Sequence, residues 1–72
     1  KDSKTALQEF VQSLGDHPPL YQVLDKSGPD HAPIFKVSVS LKSGERGVAV
    51  ANSKRKAEQG AAKNLLDGIK NV

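Results

Sequence analysis

Apolar residues recur along the chain in changing rhythms. Between Asp2 and Leu14, the side chains Leu7, Phe10, Val11 and Leu14 fall at helical spacing and share one face. Thr5, Gln8, Glu9 and Gln12 recur at the same spacing on another face. The spacing predicts a first helix, with Asp2 or Ser3 to cap its start and Gly15 to end it. Asp16-His17-Pro18-Pro19 then breaks the helix, because proline has no amide proton to donate. Leu20 to Lys26 reads as a strand, with Tyr21, Val23 and Leu24 supplying β-prone bulk. Ser27-Gly28-Pro29-Asp30-His31-Ala32-Pro33 is a loop of turn residues. From Ile34 to Leu41 the rhythm is strict alternation. Phe35, Val37, Val39 and Leu41 point one way and Lys36, Ser38 and Ser40 the other, which predicts one buried face and one wet face. Lys42-Ser43-Gly44-Glu45 reads as a hairpin turn, and Gly47 to Ala51 as a short third strand of small residues. Ser53 is placed to cap a last helix from Lys54 to about Ile69. Its apolar stripe is Ala57, Ala61, Ala62, Leu65, Leu66 and Ile69, and the small residues near its start would let its backbone lie close to a sheet.

These elements give an α+β fold of order α-β-β-β-α, a three-stranded antiparallel sheet with both helices packed on its apolar face. There is no internal repeat, low-complexity tract or domain boundary, so residues 1–72 read as a single domain. The core is small: apolar residues are 36% of the chain, with no Trp, Met or Cys. A domain of this size buries only about 60% of the surface its unfolded chain exposes, so its stability should be marginal. The absence of Cys excludes a disulfide scaffold and any thiolate metal site. No apolar run approaches the ~20 residues of a membrane span. The chain begins at Lys1 without a signal-peptide pattern, and we expect it to be a segment excised from a longer protein. The expected location is the cytoplasm, with an organelle matrix as the other setting that fits.

The sequence offers little for catalysis. It has no Ser-His-Asp ordering, no phosphate-cradling glycine loop and no HExxH. Its carboxylates are spread singly, and His17 and His31 sit in loops without ligand-spaced neighbours. We expect no catalytic residue, no metal site and no cofactor, and so small a two-layer domain leaves little room for a deep pocket.

Charge is more informative by position than by sum. The net charge of +3 is a weak pointer, but Lys54, Arg55 and Lys56 occupy the first turn of a helix, immediately after Ser53. The helix dipole puts partial positive charge there, so each cation costs about 0.3–1 kcal/mol at low salt. Free backbone amides at the same end already favour phosphate. A chain that accepts this cost is suited to an anion at that end; the plain alternative is a solvated charge run. The Gly28–Pro33 loop can hold His31 at its tip as donor and acceptor, or merely expose it. The Thr5, Gln8, Glu9 and Gln12 face offers groups that suit ribose hydroxyls and base edges, or is an ordinary polar helix face.

Three stretches carry a resemblance: Lys4-Thr5-Ala6-Leu7-Gln8-Glu9; Gly28-Pro29-Asp30-His31-Ala32-Pro33 with Phe35-Lys36-Val37; and Ser53-Lys54-Arg55-Lys56-Ala57-Glu58-Gln59-Gly60-Ala61-Ala62. In order and spacing they resemble the double-stranded-RNA-binding domain, most like the one at the C-terminus of bacterial-type ribonuclease III. The resemblance implies that Thr5, Gln8, Glu9 and Gln12 form a first minor-groove surface, and that Pro29, Asp30 and His31 form a second. Lys54 and Arg55, capped by Ser53 and followed by Lys56, would span the phosphates of the major groove between them. Glu58 stands where many eukaryotic members carry a third Lys, which implies a weaker phosphate clamp. Ala49 and Ala51 stand where the family often has glycines. The implied partner is double-stranded RNA, with no membrane role. The 72 residues hold no acidic nuclease domain. Magnesium and homodimerisation would belong to that domain of the parent enzyme, and this segment would bind and not cut. The other reading is the same fold used as a protein-interaction or dimerisation module, which would present an exposed apolar patch.

Overall fold

The computed structural model describes residues 2–70. Its elements run α1 (Ser3–Ser13), β1 (Leu20–Ser27), β2 (Ile34–Ser40), β3 (Arg46–Ala51) and α2 (Lys54–Lys70). Asp2 caps α1: its Oδ1 accepts the Thr5 amide at 2.7 Å, and its carbonyl accepts the Ala6 amide at 3.0 Å. The Thr5 hydrogen bonds hold the Asp2 carboxyl below its usual range. At the other end Gly15 turns into the left-handed region at φ +74°. Its amide bonds to the Gln12 carbonyl, and the Asp16 amide to that of Val11. Both bonds satisfy carbonyls that the helix itself leaves open.

The sheet has the order β1-β2-β3 with both pairs antiparallel. Val37, Val39 and Leu41 are buried as the alternation predicts. Ser38 departs from it. The wet face was expected to expose Ser38, yet it is 2% exposed. It lies at the middle of the central strand, directly opposite Gln22 on β1 and Val48 on β3. A small side chain between two longer ones is shielded without any helix above it. A bulge between Val23 and Asp25 adds Leu24 to β1 and shifts the register. The shift exchanges faces, because side chains alternate with a period of two. Asp25 therefore pairs with Lys36 and Lys26 with Phe35, and the Lys26 ammonium stands 5.6 Å from the centre of the Phe35 ring.

Both helices lie on the Val37/Val39 side. α2 packs on β3 and β2, and α1 packs on α2. Leu7 and Val11 of α1 join Val39, Leu41, Ala61, Ala62 and Leu65 in one core, with Phe10, Tyr21 and Leu66 at its margin. Small residues set the helix–sheet distance. A methyl group at Gly47 would meet the Leu65 Cβ at 2.9 Å and would collide with the Ala61 carbonyl oxygen; one at Gly60 would meet the Ala49 Cβ at 2.8 Å. Asn64 of α2 also donates to the Val48 carbonyl of β3 at 2.8 Å. Among the described residues, no helix is long and apolar enough to cross a membrane.

Candidate nucleic-acid interface

The start of α2 concentrates positive charge. Ser53 Oγ accepts the Lys56 amide at 3.1 Å, and the Ser53 carbonyl accepts the Ala57 amide at 3.0 Å. No acid lies in the first turn. Lys54, Arg55 and Lys56 are exposed, and among the described residues none of them forms a salt bridge. Their charge adds to the positive end of the dipole, so the field there points outward to solvent.

Thr5 and Gln8 of α1 line the same open cleft, of about 660 Å3, as Arg55 of α2. The domain thus has a wide, open concavity between its helix starts rather than a deep pocket. Glu9 and Gln12 are exposed farther along α1, outside the cleft.

The loop between β1 and β2 bends at Gly28, with φ +82°. A side chain there would also press on the Ala32 carbonyl oxygen, 2.8 Å from the Cβ position. The Ala32 amide donates to the Pro29 carbonyl at 2.9 Å, closing a turn with Asp30 and His31 at its centre. Pro29, Asp30 and His31 are all exposed. The register fixes where this loop lies. Lys26, Phe35 and Ala51 share one row of the sheet, and the loop begins one row beyond it. The chain leaves β3 for α2 from that same row, so the loop and the start of α2 sit at one end of the sheet. The start of α2 is therefore the hub, joined to α1 across the cleft and to the loop through the sheet.

A family model described as the double-stranded RNA binding motif matches residues 3–69. The chain belongs to this family. Ribonuclease 3 of Ruegeria pomeroyi is 51% identical over 69 residues, covering 96% of this chain and 31% of that protein. Ribonuclease 3 of a Jannaschia species is 58% identical over 66 residues, covering 92% of this chain and 29% of that protein. The chain thus spans less than a third of the length of either relative. The solution structure of both dsRBDs of DRB4 superposes with a TM-score of 0.74 at 37% identity, covering 96% of this chain and 44% of that one. Double-stranded RNA is the ligand class of the family, as the resemblance in the sequence implied, and the α-β-β-β-α fold agrees.

Four members of the double-stranded-RNA-binding domain's cleft have structural roles that the sequence did not reveal. Lys4 Nζ bonds to Glu58 Oε1 at 2.8 Å, and the Lys4 amide donates to Gln59 Oε1 at 3.1 Å. The same ammonium stands 4.8 Å from the centre of the Tyr21 ring. Burial, with the Glu58 and Asp2 carboxylates nearby, pushes the Tyr21 hydroxyl up to about 12. That hydroxyl is shielded from solvent and has no hydrogen-bond partner among the described residues. Lys4 and its partners on α2 are 54 and 55 positions apart, so no local pattern announces them.

Proposed function

We propose that this domain is the duplex-RNA-holding module of a ribonuclease III. A-form RNA has a wide, shallow minor groove lined with 2′-hydroxyls, so recognition is by shape, sugar and phosphate, with little sequence preference. Thr5, Gln8, Glu9 and Gln12 enter one minor groove. Pro29, Asp30 and His31 enter the next, and Lys54, Arg55 and Lys56 meet the phosphates between them. The observation that carries this reading is the run of three exposed cations, none in a salt bridge among the described residues, on the Ser53-capped start of α2, where the dipole favours an anion. The cleft and the sheet register support it by setting α1 and the loop around that start.

In the parent enzyme the domain presents duplex to a nuclease domain, which holds magnesium and carries the dimer contact; a cytoplasmic location goes with that reading. Supporting it is the match to ribonuclease 3 proteins more than three times the length of the matched segment. The segment alone binds and does not cut, so incubation with duplex RNA and magnesium leaves the RNA intact. Reproducible cleavage by these residues would overturn that assignment.

One observation favours the second reading, a protein-interaction module. The sheet face opposite the helices displays Leu20, Ile34 and Val50, exposed at 56%, 40% and 60%. Titration of a labelled duplex of about 20 base pairs separates the two, since the domain type spans about 16. The RNA-holding reading predicts a saturable shift; an unshifted duplex together with self-association of the protein would favour the second.

A further inference from the structure

α1 and the basic start of α2 are tied through one residue. An amide in the first turn of a helix has no partner inside that helix. For Lys4 that partner is Gln59 Oε1 of α2, at 3.1 Å, while its ammonium takes Glu58 Oε1 at 2.8 Å and covers the Tyr21 ring of β1. The Glu58 side chain is 15% exposed and that of Lys4 37%, so solvent screens this pair less than a fully exposed one. Thr5 follows Lys4 directly and Gln8 lies one turn on. Arg55 lies one turn before Glu58, and all of them border the cleft.

By charge alone, Glu58 opposes RNA binding, because a carboxylate one turn from Lys54 and Arg55 repels phosphate. Its geometry argues the reverse. The carboxylate is turned to Lys4, which neutralises it, and among the described residues Lys54 and Arg55 form no salt bridge with it or with any other acid. The geometry points to Glu58 as a positioning residue for duplex RNA. Through Lys4 it fixes the α1 face of Thr5 and Gln8 relative to the α2 turn of Lys54 and Arg55. This inference rests on the duplex-RNA reading above. A duplex presents groove and phosphate at a set spacing, so contact elements held in place beforehand lose less freedom on binding. Loosening the tie weakens RNA binding even though it removes a negative charge that faces a polyanion.

The test measures duplex RNA affinity for the wild type, Glu58→Gln, Lys4→Met and the double variant, well below their melting temperatures. Each single variant is expected to bind about fivefold more weakly or worse. The double variant is expected to bind no more weakly than the weaker single, because both break the same pair. The slope of log affinity against log salt stays that of the wild type. Glu58→Asp, one methylene short of Lys4 with its charge kept, is the milder variant if Glu58→Gln melts near the assay temperature, and it also binds more weakly. A lowered melting temperature with unchanged affinity would make the pair merely structural and overturn the inference. So would tighter binding by Glu58→Gln, additive losses in the double variant, or wild-type affinity in Glu58→Asp. Failure of the wild type to bind duplex RNA is a different result, seen before any variant is made; it removes the parent reading and this inference with it.

Discussion

Replacing Lys54 and Arg55 together by alanine should move stability and RNA affinity in opposite directions. Both side chains lie in the first turn of α2, exposed, with no acid beside them in that turn. Removing a cation from this position returns about 0.3–1 kcal/mol at low salt. Arg55 returns less than Lys54, because its charge also helps to keep the Asp2 carboxylate ionised across the cleft. The expected net gain is about 0.5–1 kcal/mol, which in a domain this small raises the melting temperature by about 2–8 °C. RNA affinity falls instead. Each phosphate contact releases counterions, with a slope of about 0.7–0.9 in log affinity against log salt by analogy with DNA. Two lost contacts make the slope shallower by roughly 1.4–1.8 units, so the deficit of the variant shrinks about tenfold between 50 and 200 mM salt. Thermal melts and fluorescence titrations across that range read both effects. Gln8→Ala serves as control, because it lowers affinity without changing the slope. A double variant whose salt slope matches the wild type would remove Lys54 and Arg55 from the interface and return them to a solvated charge run.

Other predictions follow from single contacts. Gly47→Ala forces a methyl group against Leu65 and the Ala61 carbonyl, so it should destabilise the domain by about 1–3 kcal/mol in denaturant titrations; a neutral result would mean that α2 can lift off β3 at little cost. His31→Ala should weaken RNA binding by about 1–2 kcal/mol and leave the melting temperature unchanged, since the turn tip is exposed; a collapse in stability would show that His31 supports the fold. Asp2 is held below its ordinary 3.8 in the folded state, so its cap stabilises above that pH and is lost as pH falls through the folded value. The gap in melting temperature between wild type and Asp2→Ala should accordingly be full near neutrality and narrow as the pH falls below 3.8, and a gap that does not narrow in acid would contradict the assignment.

Local rhythm was enough to place the elements. The spacing of Leu7 and Val11, the Asp2 cap, the stop at Gly15 and the alternation through Val37 and Val39 each reflect forces that act within a few residues. The anomaly at Lys54 and Arg55 was legible for the same reason, because a helix dipole is a local field. Features that depend on pairing across the chain were not. The shielding of Ser38 comes from its neighbours on both flanking strands, and the Leu24 bulge is a mismatch between strands rather than a property of either. The Lys4, Glu58 and Gln59 tie joins residues more than fifty positions apart. Glu58 shows the difference most plainly: four positions after Lys54 in the sequence it reads as weakening a phosphate clamp, while in the fold its carboxylate belongs to Lys4.

The central claim is that this domain reads the sugar and groove shape of RNA as well as its charge. Competition between duplex RNA and duplex DNA of the same length and equivalent sequence, at physiological salt, tests it most directly, because the phosphate count is equal and the duplexes differ chiefly in the 2′-hydroxyls and groove geometry. Loss of one or two hydrogen bonds to 2′-hydroxyls is worth about 1–3 kcal/mol, so duplex RNA should bind at least about fivefold more tightly than duplex DNA. Equal affinity for the two duplexes would reduce the interface to electrostatic attraction and contradict the assignment of the α1 face and the Pro29–His31 turn to minor grooves.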